Sequence, residues 1–335
     1  MGIEDKITEF EFLENPIIPP ELMSLIQDGE IIIFIGNGVS RLAEVPSWDK
    51  LALKYLHKYK SVSPQLTYDA FEKLKATKPL RLLSICIKRL GFNIAQLAEF
   101  LQVSKDKEKQ ALKIYGYIKD FKTGYITTNY DPFMMDAIYT PDDLRNKELE
   151  LLKFINKKED ALIEVGFDDA MIRPQNKILY LHGKAFSKGN TGINDMLPIL
   201  TQADYMQHYR EKGTGRIFLR DVFKQAVLFI GVGMDEFEIL EHIQPPSTIN
   251  GTHYILHGFS EYEKCIIPDF RDYYKDLKIQ LIPFNKSRNG YHQLEHVLRE
   301  WSTTIRHERI RKFEAIKNQV DIISKIDGLQ DERSE

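Results

Sequence analysis

Six short, mostly apolar runs, separated by helical patterns, constrain this 335-residue chain more than any other feature of it: residues 30–35, 124–127, 178–181, 226–230, 252–256 and 279–282. The run Ile31-Ile32-Ile33-Phe34-Ile35 has no polar residue at any position, so both faces of a strand built from it must be covered. Helical patterns at 132–139, about 146–157, 202–223, 235–242 and 260–276 lie between the later runs. Strands that alternate with helices predict an α/β, doubly wound, Rossmann-like parallel sheet. Four runs stop at glycine or small polar residues: Gly36-Asn37-Gly38, Thr128-Asn129, His182-Gly183 and Gly231-Val232-Gly233. Ligands of such sheets bind outside the carboxyl ends of the strands, so chemistry is expected at these endings.

The stretch 61–120 reads as helical throughout, with Leu82, Leu83, Ile85, Ile87, Leu90, Leu97, Phe100, Leu101, Leu112, Ile114 and Ile118 as its apolar positions. It predicts a helical insertion packed over the sheet. Pro19-Pro20 opens a short helix that Gly29 ends, and residues 48–59 form another. From about 290 to 327, Trp301, Ile305, Ile310, Phe313, Ile316, Val320 and Ile323 recur at three- to five-residue spacing in a charged background. Such an amphipathic helical tail either packs on the body or offers a face to a partner. The expected division is a domain over 1–300 and a tail over 301–335 with a frayed end.

Net charge is -3 and no basic block stands out, so direct binding of nucleic acid by this chain is not expected. No apolar run approaches membrane-spanning length. The acidic start MGIEDKITEFEFLENP lacks the basic and apolar regions of a secretory signal, and Lys6 breaks the myristoylation pattern that Met1-Gly2 begins. The cytoplasm is the expected compartment. Cys86 and Cys265 are the two cysteines, which rules out a four-cysteine zinc site within this sequence. His253 and His257 have no carboxylate partners at metal spacing, and no metal is expected.

In Thr127-Thr128-Asn129-Tyr130-Asp131 an apolar approach ends in an amide and a carboxylate two residues apart, a pair suited to sugar hydroxyls and amides. Gly36-Asn37-Gly38-Val39-Ser40 has the form of a strand, a glycine turn and a helix start. It is either a phosphate cradle, with free backbone N–H groups and Ser40 as cap or phosphate ligand, or a tight structural turn. The third glycine of a dinucleotide fingerprint is replaced by Arg41. In Val45-Pro46-Ser47-Trp48, Ser47 reads as a cap and Trp48 as a core residue or a ligand contact. His182 ends a strand before Gly183, on the same sheet edge as Asn129, and is the natural general base. Gly231-Val232-Gly233-Met234 is either a nucleotide-covering loop or an ordinary βα loop.

Taken in order, G-x-G-x-S, V-P-S-W, T-x-N-Y-D, L-H-G and F-I-G-x-G resemble the sirtuin-like family, in particular its bacterial NAD-hydrolysing branch of antiphage defence systems. Pro198-Ile199-Leu200-Thr201, Asp204-Tyr205 and the late Leu281-Ile282-Pro283-Phe284 extend the resemblance over about 20–300. It implies that Gly36, Asn37, Gly38, Ser40, Trp48, Thr128, Gly231 and Gly233 hold NAD, with Gly231 to Met234 on the adenosine side. Asn129 would position ribose or water, Asp131 would hold the nicotinamide carboxamide, and His182 matches the family's catalytic histidine. Asn37 stands where the family has alanine. The missing zinc module speaks against an acyl-lysine groove and makes water the expected nucleophile.

The resemblance therefore implies an NAD+ glycohydrolase that releases nicotinamide and ADP-ribose. The alternatives are a non-enzymatic NAD or ADP-ribose sensor, and a protein deacylase or ADP-ribosyltransferase. An NAD-depleting effector requires gating, by homo-oligomer assembly or by a partner; in this family those partners include HerA-type ATPases, short Argonautes and phage proteins.

Overall fold

The computed structural model describes residues 12–139, 178–185, 198–210, 213–234, 237–243 and 252–331. Six strands form one all-parallel sheet: β1 (Ile31–Ile35), β2 (Gly124–Thr127), β3 (Ile178–Tyr180), β4 (Ala226–Ile230), β5 (His253–Phe259) and β6 (Ile279–Asn285). Their order is β3-β2-β1-β4-β5-β6, so the winding direction reverses between β1 and β4. Ile31 to Ile35 pair in register with Ala226 to Ile230, while Ile32 to Ile35 pair with Gly124 to Thr127. The doubly wound, Rossmann-like sheet expected from the alternating pattern is the observed one.

The unbroken apolar character of β1 follows from its position. Ile31, Ile33 and Ile35 face one core and Ile32 and Phe34 the other, and all five are buried. Helices α1 (Pro20–Asp28), α2 (Asn37–Leu42), α3 (Trp48–Val62), α4 (Tyr68–Lys75), α5 (Pro79–Leu90), α6 (Ile94–Phe100), α7 (Lys105–Lys119) and α8 (Phe133–Ile138) contribute to the first core. The opposite core is closed by α9 (Gln202–His208), α10 (Thr214–Val222), α11 (Phe237–Leu240) and α12 (Ile267–Asp276). The insertion between β1 and β2 is helical as expected, and it lies on the first face beside α13 (Gln293–Asp331).

Helix α13 is two things in succession. Its first turns insert Leu294, Val297, Leu298, Trp301 and Ile305 into the core, and Trp301 Nε1 donates to Pro16 O at 2.6 Å. Beyond them Ile310, Phe313, Ile316 and Val320 are exposed. Arg309 grips the end of α7, donating to Phe121 O at 2.6 Å and to Asp120 O, while Ser302 donates to the Asp120 carboxylate.

Several expected boundaries move. Strands β5 and β6 run on to Phe259 and Asn285, past His257-Gly258 and Pro283, and stay paired to the end. Pro283 is accommodated because β6 is the edge strand, where a missing N–H removes no inner ladder bond. The helix expected over 202–223 is two helices, α9 and α10. A 3-10 turn, Glu261–Ile266, with a Ser260–Glu263 capping box, precedes α12. The pattern expected at about 146–157 lies outside the described residues.

Candidate active site

A cavity of about 800 Å3 opens at the carboxyl ends of β1, β2, β4 and β5, over the point where the strand order reverses. Gly36, Asn37, Gly38, Ser40, Trp48, Thr128, Asn129, Asp131, Gly231 and Gly233 all line it. Its size lies within the range of pockets for small molecules and cofactors. The insertion supplies part of the wall through Lys78, Pro79, Leu80 and Leu101.

The two glycine loops hold each other. Gly36 N–H donates to Ile230 O at 2.9 Å and Gly38 N–H to Gly231 O at 2.8 Å. A Cβ on Gly36 would lie 2.5 Å from Gly231 O; one on Gly38 would lie 2.7 Å from Gly231 Cα and would meet the Tyr291 hydroxyl. Gly231 itself takes φ 65, the left-handed region that favours glycine. These glycines are thus explained first by the close approach of loop to loop. The expectation of free amides at this turn is corrected in part: Gly38 N–H is engaged as above, and Val39 N–H bonds Gly36 O at 3.2 Å.

Ser40 is also not a helix cap. Gly36 occupies the cap position, α2 starts at Asn37, and Ser40 sits buried inside that helix. Its Oγ donates to Asp131 Oδ2 at 2.6 Å and lies 3.1 Å from the Tyr115 hydroxyl. Asp131 Oδ1 accepts from Phe133 N–H at 3.3 Å. The carboxyl is buried, which pushes its pKa up to about 6 against the opposing effect of the Ser40 bond. Asn129 Nδ2 donates to Gly36 O at 3.0 Å and to Tyr115 Oη at 3.3 Å, and its own N–H is held by Thr127 Oγ1. The amide is therefore fixed from the β1 loop and from α7. Tyr115, a polar tip on an otherwise apolar helix face, carries no motif that would have singled it out.

His182 is placed differently from the other expected residues. It follows β3, and Ile199 N–H donates to its carbonyl at 2.9 Å. The ring is fully buried and is absent from the cavity lining. Nε2 lies 2.7 Å from Tyr209 Oη, and Nδ1 lies 3.2 Å from Tyr205 Oη. Burial, with a smaller contribution from His208, lowers its pKa to about 3, so the ring is neutral at ordinary pH. Tyr205 both contacts His182 and lines the cavity, where it packs edge-on against Trp48 at 6.1 Å.

Ser47 and Trp48 both fall at the cavity wall. Ser47 Oγ caps α3 by accepting from Lys50 N–H at 3.5 Å, while Trp48 is half-buried, packs on Tyr130 at 5.5 Å and faces the cavity. Residues that carried no sequence signal complete the walls. Arg41 stacks over the Tyr291 ring at 5.5 Å, and Lys286 stands at the β6 end. With Lys78 they set three cations around the cavity, and Trp48, Tyr130, Tyr205 and Tyr291 supply flat aromatic surface. That combination suits a phosphate-bearing ligand with planar rings. Among the described residues no group of three or more His, Cys, Asp or Glu gathers as a metal-ligand set.

Residues 123–282, just under half of the chain, match the family model described as SIR2-like domain. That segment holds Asn129, Asp131, His182 and the Gly231 loop. The chain is also 24% identical over 242 residues to "Defense-associated sirtuin 2" of Bacillus subtilis, an alignment that covers 70% of this chain and 21% of the relative. The chain thus spans about a fifth of the length of the curated relative it matches. Both matches are to sirtuin-like proteins, and the matched segment carries the Asn129 corner and one of the two facing glycine loops.

Proposed function

We propose that the protein cleaves NAD+ with water to nicotinamide and ADP-ribose. The observation that carries this reading is the gathering of both glycine loops and a doubly anchored Asn129 around one cavity at the switch point. Nicotinamide leaves as a neutral ring from a cationic one, so the protein has chiefly to stabilise an oxocarbenium-like ribose and to place water. Fixed dipoles such as the Asn129 amide serve that purpose. In this reading Asp131 holds the carboxamide, His182 is the ultimate proton acceptor, and Arg41 and Lys286 attract the pyrophosphate. Two isolated cysteines leave an acyl-lysine groove of the zinc-module type without its metal ligands.

The defence-associated name of the relative supports a role as an NAD+-depleting antiphage effector. Such an effector is held off by assembly or by a partner. The exposed stripe of Ile310, Phe313, Ile316 and Val320 is the candidate contact, for a homo-oligomer or for a HerA-type ATPase, short Argonaute or phage protein. Incubation of the purified protein with NAD+, alone and with the products of neighbouring genes, tests the reading. Nicotinamide release that disappears in Asn129→Ala is expected; its absence under every condition rejects the hydrolase.

The seclusion of His182 favours one second reading, a non-enzymatic NAD or ADP-ribose sensor. Stoichiometric retention of NAD with no product over hours would select it.

A further inference from the structure

A general base must reach the group it deprotonates, directly or through one intermediary. His182 has no wall in the cavity, yet one of its two hydrogen-bond partners does. Tyr205 lines the cavity, and its hydroxyl lies 3.2 Å from His182 Nδ1. The other partner, Tyr209, meets Nε2 from the far side and is absent from the lining. A neutral imidazole donates from one nitrogen and accepts at the other. The path from cavity to base is open only when Nδ1 accepts, with Nε2–H donating to Tyr209.

We propose that Tyr205 is the relay through which His182 acts, its hydroxyl passing a proton to Nδ1 while its oxygen takes one from the attacking water. This rests on the NAD+-cleaving reading given above. The C1′–N bond to nicotinamide breaks and its electron pair leaves with the nicotinamide nitrogen. The bond from water oxygen to C1′ forms, the water proton goes to Tyr205 Oη, and the tyrosine proton goes to His182. On product release the proton returns along the same path to solvent. Overall, NAD+ and water give nicotinamide, ADP-ribose and one proton.

The low basicity of the buried ring is compatible with this role. Water adding to an oxocarbenium becomes an oxonium, a far stronger acid than an imidazolium with a pKa of about 3. The same burial keeps the ring neutral throughout the working range, so one of its two nitrogens is always able to accept. Among the described residues the rings facing the imidazole are those of Tyr130, Tyr205, His208 and Tyr209, none of which carries a carboxylate. His208 is itself pushed down to about 4 by burial, so it is neutral as well. Turnover is therefore expected to lack the fall near pH 6.5 that an exposed histidine base would impose.

Two measurements test the relay. The first compares nicotinamide release by the full chain and by Tyr205→Phe, with NAD+ affinity measured alongside. The variant keeps the ring against Trp48, so KM stays within about twofold while kcat falls about 100-fold or more, the size of a positioned proton transfer. A Tyr205→Phe enzyme within threefold of the parent, or faster than it, overturns the proposal; a faster enzyme would make Tyr205 a shutter instead. A fall in kcat below pH 6.5 that persists in Asp131→Asn, whose parent carboxyl titrates near 6, also counts against it. The second is 15N NMR of the histidine rings, with His182 assigned from His182→Asn. Nε2–H with a bare Nδ1 is expected, and a change in that signal in Tyr205→Phe; an Nδ1–H tautomer overturns the relay whether or not NAD+ is cleaved. A parent protein that binds NAD+ and releases no nicotinamide rejects the hydrolase reading and leaves the tautomer measurement to decide the geometry.

Discussion

Ser40 and Asp131 are joined by a 2.6 Å hydrogen bond across 91 positions of sequence, inside the wall of the cavity. The bond ties the first turns of α2 to the end of β2, and it is made to a carboxyl whose burial favours the protonated form.

Stability should carry the signature of that carboxyl. Its folded pKa, about 6, lies above the ordinary value of 3.8, so between these the folded chain binds more protons than the unfolded one. The sign follows: this group's contribution is most favourable below pH 4 and is lost as pH rises to 6 and beyond. The loss is roughly 3 kcal/mol from a shift of this size. Urea midpoints of the parent and Asp131→Asn, measured from pH 4 to 7, should diverge by that order, with the variant gaining relative to the parent as pH rises. Parallel curves would show that the carboxyl is ionised freely.

Asn129 donates to Gly36 O and to Tyr115, so its replacement affects both orientation and charge. Asn129→Asp sets a carboxylate against the Gly36 carbonyl and should lower NAD+ cleavage by a factor on the order of 100 or more, the loss typical of a transition-state dipole. Tyr115→Phe keeps the Gly36 contact and should cost less than Asn129→Asp. Equal losses would mean that α7 rather than the β1 loop fixes the amide. Initial-rate assays of nicotinamide release separate the two.

The glycines make opposite predictions. Gly38→Ala drives a methyl against Gly231 Cα and the Tyr291 hydroxyl and should destabilise by about 1–3 kcal/mol. Tyr291→Ala should not rescue it, because the Gly231 backbone remains in place. Gly116, inside α7, has nothing within 4 Å of a new Cβ, and Gly116→Ala should stabilise by about 0.5–1 kcal/mol. Thermal and chemical denaturation of the three variants checks both signs.

Truncation after Lys312 removes Phe313, Ile316 and Val320 yet spares the Arg309 grip and the 2.9 Å Lys312–Asp28 ion pair. If the stripe carries assembly, sedimentation should shift to a smaller species while the melting temperature of the body is held. An unchanged sedimentation profile would remove the tail from the interface.

The strand endings were legible because a buried parallel strand leaves an uninterrupted β-branched run and its ligand-bearing end needs glycine or short polar residues. Thus Ile31 to Ile35, Asn129 and Gly231 could be placed from sequence. Residues whose importance comes from where a helix lies in space left no such trace. Tyr115 reads as one more aromatic in an amphipathic helix, and Tyr205 enters only through the Asp204-Tyr205 resemblance, with no role attached to it. Periodicity also could not tell that β6 is an edge strand, so Pro283 read as its end. Sequence placed His182 at the right strand end but could not show which side chain would touch both it and the cavity.

The grip of α13 on α7 has a mechanical consequence. Arg306 and Arg309 meet the end of α7 at Asp120 and Phe121, and Tyr115 of the same helix touches both Ser40 and Asn129. The five-residue step from Tyr115 to Asp120 spans about 7.5 Å of helix. A pull on the tail is therefore delivered to the corner that orients Asn129 through a single short lever, with no loop in between to absorb it.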